Sequence, residues 1–251
     1  MILYILTADY HTHTRYSHGK GTILGNVEAA RKKGLKKIAI TDHGFKHIGI
    51  GTAVSDLGKI REEITRLNQR FSDIEILMGI EANLIGMDGE IDIPQKHLNA
   101  FDIILMGFHK AVIPASFQDA WVLFARNALG KLGLVDRNTI RKANTQALIC
   151  AINRYPIRIL THPGAKIDID SRELAREAAK LDVALEINSS HGFMTVEYVK
   201  MALEEGASFV INSDAHTPDR VGDFKRGMEI ANEAGVPPHR IINTKEAMEI
   251  Q

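Results

Sequence analysis

At 251 residues with an apolar fraction of 45%, the chain has room for one barrel-sized domain or two small ones and enough core-forming residues to exclude a disordered or fibrous protein. Its 31 basic residues balance 31 acidic ones, so no global field draws it to nucleic acid or an anionic membrane. The single cysteine, Cys150, excludes an internal disulfide and any zinc site built on several thiolates, so a bound metal would need histidine and carboxylate.

The first apolar run, residues 4–7, turns polar at Asp9-Tyr10-His11-Thr12-His13. In an extended strand residues two apart face one side, so His11 and His13 present two imidazoles to one point, half of a metal site. Residues 23–33 predict a helix that stops at Gly34, and residues 37–41 a buried strand running into Asp42-His43. Helical periodicity returns over residues 55–70 with Ser55 as N-cap, and a strand over residues 74–80 ends in Glu81. Residues 82–99, with Gly86, Asp88-Gly89 and Pro94, predict turns and a small hairpin before a strand over 102–106 that closes on His109.

Residues 111–146 interrupt the rhythm with two helix-like pieces, around 117–129 and 137–152, and read as an insertion or an enlarged crossover. The alternation then resumes with a strand from 158 into His162 and a helix over 171–180 capped by Ser171. A strand over 183–187 has Glu186 and Asn188 at its exit, and a helix follows over 196–205. A strand over 208–212 runs into Asp214 and His216, and a helix over 223–234 and a short terminal helix complete the pattern. The start is apolar but short and lacks a basic leader, and no run approaches the ~18 apolar residues of a membrane span. A cytoplasmic protein with no membrane partner is expected.

Seven strand candidates, nearly all separated by helices, predict a parallel sheet closed into an α/β barrel over a single domain, residues 1–251, with an open doubly wound sheet as the structural alternative. In such a barrel the strand exits converge at one rim. Here they carry His11, His13, His18, His43, Glu81, His109, His162, Asp214 and His216, nine candidate ligands, which is too many for one ion and suits a cluster of two or three. The isolated histidines His47, His97, His191 and His239 read as ordinary polar residues. Asp9, Asp42 and Glu186 read either as carboxylates orienting a ligand imidazole or as strand-end groups facing water. Arg15, Lys20, Lys46, Lys110, Lys166 and Arg220 lie beside the ligand loops and would make the rim attractive to an anion.

The chain resembles the polymerase and histidinol phosphatase (PHP) superfamily through Asp9-Tyr-His-Thr-His-Thr14, Thr41-Asp-His43, Gly79-Ile-Glu-Ala-Asn83, Gly107-Phe-His109, Thr161-His-Pro-Gly164, Glu186-Ile-Asn188 and Ser213-Asp-Ala-His216. The order and spacing of these motifs carry the resemblance, and the sections 77–92 and from 158 onward are most similar to the stand-alone bacterial phosphatases of that family. The resemblance implies a distorted seven-stranded (β/α)7 TIM-like barrel and three divalent ions of zinc, manganese or iron. It implies His11, His13, Glu81 and Asp214 around one ion, Glu81, His109 and His162 around a second, and His18, His43 and His216 around a third. Glu81 and Asp214 would then act in catalysis through the ions they hold. The insertion at 111–146 departs from the short connection of the family pattern.

Two enzyme readings follow. The first is hydrolysis of a small phosphomonoester, in the manner of a histidinol phosphatase, by a hydroxide bridging two ions, with Arg15 and Lys110 as expected substrate-binding cations. The alternative is a nuclease or phosphodiesterase using the same ions, for which residues 111–146 offer five basic side chains (Arg126, Lys131, Arg137, Arg141, Lys142) against two acidic ones (Asp119, Asp136). A non-catalytic barrel with structural metals ranks last, because all nine ligand positions are filled. An amide hydrolase lacks a lysine at a strand exit suited to carbamylation.

Overall fold

Strands apolar on both faces need cover on both sides, which a parallel sheet under crossover helices provides. The computed structural model describes residues 3–248. Seven strands pair in sequential order, all parallel: β1 (Ala8–Asp9), β2 (Lys37–Ile40), β3 (Glu75–Asn83), β4 (Ile103–Gly107), β5 (Ile159–Leu160), β6 (Ala184–Asn188) and β7 (Phe209–Asn212). The result is an α/β TIM-like barrel. Its helices are α1 (Ile23–Lys32), α2 (Leu57–Arg70), the short α3 (Phe117–Asp119) and α4 (Asn127–Lys131), then α5 (Arg137–Arg154), α6 (Ser171–Lys180), α7 (Val196–Glu204), α8 (Lys225–Ala234) and the short terminal α9 (Lys245–Met248). No helix among the described residues is long and apolar enough to cross a membrane.

Between β7 and β1 the ladder is replaced by other contacts. At the rim Thr12 bridges Ala215, and His13 N donates to Ala215 O at 2.8 Å. At the base the segment 241–244 fills the seam: Asn243 Nδ2 donates to Ala8 O (2.8 Å) and Ile211 O (2.7 Å), while its Oδ1 accepts from Ile211 N (3.2 Å). This segment also explains why the apolar run 4–7 is not the first strand. Leu6 is bridged antiparallel to Thr244, and the parallel ladder begins only at Ala8.

Two expected caps move by one residue or vanish. Ser55 lies inside a 3-10 turn (Val54–Asp56) that leads into α2, and no side chain caps that start. Ser171 is the first residue of α6, and the cap is Asp170, whose carboxylate accepts from Arg172 N and Glu173 N at 3.1 and 3.0 Å. In the interrupting region, α5 is the β4–β5 crossover and buries Ile140, Ala147, Leu148, Ala151 and Ile152. What exceeds a crossover is therefore residues 111–136, which hold α3, a π-helical stretch (Ala120–Arg126) and α4. Phe124 stacks on Phe108 of the barrel at 5.6 Å, whereas Trp121 is 55% exposed.

Candidate metal centre

The period of two along each strand sorts the barrel's two faces and then its two ends. Ile38 and Ile40, Ile76 and Met78, Ile104 and Met106 pack outward in the helix-covered core. The intervening residues point inward and change character with height. Ala8, Ala39, Leu105, Ile159, Ala184 and Val210 form an apolar plug at the base. One or two pairs of residues further along the same faces stand Thr41 and His43, His109, Thr161, Glu186 and Asn188, Asn212 and Asp214, all buried. Glu81 lies within β3 on this face, two residues before the strand ends, which sets it deeper than the expected strand-exit position.

The nine sequence-selected ligands converge. Tetrahedral ligands with bonds of ~2.0–2.2 Å stand about 3.4 Å apart. His11 Nε2 lies 3.1 Å from His13 Nε2, 3.4 Å from Glu81 Oε2 and 3.5 Å from Asp214 Oδ1. His13 Nε2 is 3.7 Å from Glu81 Oε2 and 3.3 Å from Asp214 Oδ1. The other carboxylate oxygen of Glu81 faces a different set, with His162 Nε2 at 3.0 Å, His109 Nε2 at 3.5 Å and the Thr161 hydroxyl donating at 2.8 Å. A third group gathers His13, His18, His43 and His216 with ligand atoms within 4.8 Å of one another. His43 also groups with Glu81 and His109, so it stands between the second and third positions.

Several atoms at this centre are buried without a hydrogen-bond partner: His13 Nδ1, His43 Nδ1, His47 Nδ1 and Glu81 Oε2. His43 Nδ1 is 3.0 Å from Glu81 Oε2 but off the hydrogen-bonding direction, so neither satisfies the other. Each such orphan costs about 1–3 kcal/mol, a cost that cations among these donors would remove. The donor set of imidazole and carboxylate fits divalent ions.

Other residues hold the ligands in place. Glu186 Oε1 takes His11 Nδ1 at 2.7 Å, and its Oε2 accepts from His162 N at 2.8 Å. Asn83 Oδ1 pairs with His109 Nδ1 at 2.7 Å, and Asn83 in turn donates to Asp92 at 2.6 Å. Asp42 accepts from Thr14 N at 2.7 Å, Thr14 Oγ1 at 2.6 Å and Ser17 Oγ at 2.5 Å. Asp9 accepts from Gly222 N at 2.9 Å and from the Ser213 hydroxyl. None of Asp9, Asp42 and Glu186 faces water: Glu186 orients an imidazole directly, and the two aspartates fix the loops that carry ligands. Gly107 lets the parts meet, since a Cβ there would lie 2.4 Å from Thr161 Oγ1 and 2.9 Å from His162 Cε1. His162 (φ 31°) and Asp214 (φ 52°) occupy left-handed conformations that non-glycine residues adopt at a cost, a frequent mark of functional positions.

The electrostatics divide the histidines. Burial lowers His13 and His109 well below the usual imidazole range, and lowers His18 and His47 to about 4, so these rings are neutral and their nitrogens free to ligate. Burial also disfavours the His11 imidazolium, but Glu186, Asp214 and Glu81 overcome it and hold its pKa well above the ordinary value. Glu81 stays well below the usual carboxylate range: burial opposes its ionisation, and the imidazoles of His109 and His11 outweigh burial.

The rim cations differ from expectation. Arg15 is exposed and does not line the central cavity, which has a volume of about 220 Å³. Lys110 lines two neighbouring cavities and not this one. The cation that reaches the centre is Lys166, partly buried and with a pKa lowered by that burial. Two histidines read as ordinary polar groups also line it. His191 Nε2 lies 3.1 Å from Asp214 Oδ2, and the His47 ring packs 4.7 Å from His43. His191 follows β6 by three residues, so the strand-exit rule that selected the other histidines would have found it. Nothing in the sequence singles out His47 beyond its place in the His43 loop.

A parallel barrel hosts many unrelated chemistries, so its rim centre and not the fold alone must define the class. The PHP domain profile matches residues 9–190, and the chain belongs to that family. It is 33% identical to a probable phosphatase of Proteus mirabilis, over 94% of this chain and 89% of the relative. It is 34% identical to the probable phosphatase YcdX of Escherichia coli, with the same coverage. Among solved structures it resembles a histidinol phosphate phosphatase from Lactococcus lactis, complexed with zinc, L-histidinol and phosphate. That match has a TM-score of 0.62 at 15% identity, covers 92% of this chain and 94% of the other, and speaks to the fold alone.

Proposed function

We propose that this chain hydrolyses small phosphomonoesters with three divalent ions, of zinc, manganese or iron, at the rim centre. Its class is hydrolase of phosphoric esters, as a PHP-family chain whose relatives are named probable phosphatases. The zinc, L-histidinol and phosphate of the Lactococcus lactis structure support the reading of metal and substrate class. What carries the trinuclear reading is Glu81, whose two oxygens face two different histidine sets, together with the further group of His18, His43 and His216 beside them.

In this reading His11, His13 and Asp214 hold one ion, His109 and His162 a second, and His18, His43 and His216 a third, with Glu81 shared by the first two. When bound, divalent ions lower the pKa of a coordinated water to about 7 and neutralise phosphate charge. The protein's own part is positioning. Glu186 and Asn83 fix the ring orientation of His11 and His109, and Lys166 supplies the nearest side-chain cation for a phosphate oxygen. Arg137 and Arg141, two of the cations that favoured a nucleic-acid substrate, are tied to Asp168 at 3.2 and 3.0 Å, which leaves no basic stripe on α5.

Elemental analysis of the purified chain beside phosphate release from a broad monoester panel tests this. Two to three ions per chain are expected, with release abolished by chelator and restored by metal. A metal-loaded chain that released no phosphate from any monoester would overturn the proposal.

A further inference from the structure

We infer that the rim holds a second anion subsite beside the metal centre, and that the substrate is a small molecule carrying two phosphate groups, one at the metals and one among Lys110, Lys131 and Lys166. The inference rests on the phosphatase reading above. Its starting point is three adjoining cavities, of about 220, 260 and 410 Å³, that share Lys166 as a wall. The smallest is lined by His18, His43, His109, His162 and His216 of the ligand set. The two outer ones are both lined by Lys110, Lys131, Lys166 and Ile167. Together they offer a space in the range of small-molecule sites, larger than a single phosphate at the metals would fill.

Position and charge together mark this region. Several basic side chains elsewhere are matched, among them Arg31 with Asp73, Lys37 with Glu75, Lys59 with Asp56 and Lys180 with Glu177. At the outer cavities Arg137 is matched by Asp168, but Lys110, Lys131 and Lys166 have no ion-pair partner among the described residues. Three ammonium groups line these cavities, and the carboxylate among them, Asp168, is already held by Arg137 and Arg141, so an anion with two charges is the ligand that balances the lysines. The walls between suit a carbon spacer: Phe108 and Phe124 on one side, and Phe193 and Tyr198, each 44% exposed, on the other.

The placement gives residues 111–136 a role, since α4 delivers Lys131 while His109 and Lys110 leave β4 together. A polymer is the poorer fit. Its backbone needs a run of cations along a surface, whereas these three surround a pocket and the neighbouring arginines are already neutralised.

The test is a ruler of α,ω-alkanediol phosphates, three to six carbons long, as monophosphates and bisphosphates, assayed with the metal-loaded full chain beside p-nitrophenyl phosphate. At the matching length kcat/KM for the bisphosphate exceeds that for the monophosphate by about tenfold or more, beyond the factor of two expected from having two groups. Lys131→Ala lowers that ratio about tenfold and Lys131→Glu removes it, while Lys142→Ala, on α5 and outside the cavities, leaves it. Unchanged melting temperatures show that the variants fold.

A ratio near two that ignores Lys131, with p-nitrophenyl phosphate still cleaved, overturns the subsite and leaves the phosphatase reading standing. If no ester is cleaved, the phosphatase reading fails, and calorimetry with the bisphosphate then decides the subsite by itself. Binding lost in Lys131→Glu supports it and no binding overturns it. A 5′-phosphorylated single-stranded oligonucleotide that outcompetes every bisphosphate, in a manner Lys131→Glu removes, would replace the small molecule with nucleic acid. An ω-carboxyalkyl phosphate cleaved as well as the bisphosphate would replace the second phosphate with a carboxylate.

Discussion

The two ends of this barrel are built from the same strands and treat polar atoms in opposite ways. At the base is a cavity of about 460 Å³, larger than the one at the centre, lined by Tyr10, Leu77 and Ile103 under a rim of charged groups. Those charges are matched: Lys37 with Glu75 at 2.8 Å, Arg158 with Asp182, Arg61 with Asp102 at 2.9 Å. At the opposite end a smaller cavity collects seven histidines and two carboxylates, of which His43, His109, His162, Glu81 and Asp214 are buried, with several donor atoms unsatisfied. The larger space is thus not the reactive one. Unsatisfied polar atoms, which a folded protein ordinarily avoids, mark where a ligand is required.

Breaking the unsatisfied end should have the largest effect. Glu81→Gln removes the carboxylate that two histidine sets face. The variant is expected to fold with an unchanged circular dichroism spectrum, bind fewer ions by elemental analysis, and lose well over ~100-fold in phosphate release. Normal turnover would show that Glu81 is not shared between ions. Glu186→Gln leaves every ligand present but weakens the hold on His11. Metal affinity, measured by chelator competition, should fall by about 10–100-fold. An unaltered affinity would reduce Glu186 to a structural residue.

The pH dependence of the metal-free chain sharpens the contrast. His13, His18, His47 and His109 have lowered pKa values in the fold, two of them at about 4, so the folded chain binds fewer protons than the unfolded one below about 6.5. Their contribution is fully present above that value and is lost as pH falls toward 4. The lowered carboxylates Glu81, Asp214 and Glu186 act in the same direction at lower pH. His11, with a raised pKa, opposes them by adding stability below about 6.5 that is lost as pH rises through its own folded value. The melting temperature of chelator-treated protein is therefore expected to fall between pH 7.5 and pH 5. A flat profile would mean that these rings are protonated in the fold.

The matched end should barely respond. Lys37→Ala removes one member of a partly exposed pair, which is worth about 0–1 kcal/mol, and phosphate release should be unaffected. A marked loss of activity in that variant would blur the distinction between the ends.

The sequence by itself carried the strand–helix alternation and the placing of polar residues after apolar runs. Those features determined the parallel barrel and the nine ligand candidates at one rim, because strand period and connection handedness leave few other outcomes. What it could not carry were relations between residues far apart in the chain. Residues 4–7 read as a strand until the segment 241–244 occupies the lane beside them. Asp42 and Glu186 read alike until burial and partners make one a loop anchor and the other an imidazole's acceptor. Lys166, Lys131 and Lys110 are ordinary surface cations in the chain order, and only folding brings them around one pocket whose carboxylate, Asp168, is already taken by Arg137 and Arg141. Local periodicity specifies which face a residue takes. Which charges end up paired depends on long-range packing, and at this rim that packing leaves cations and ligand atoms open.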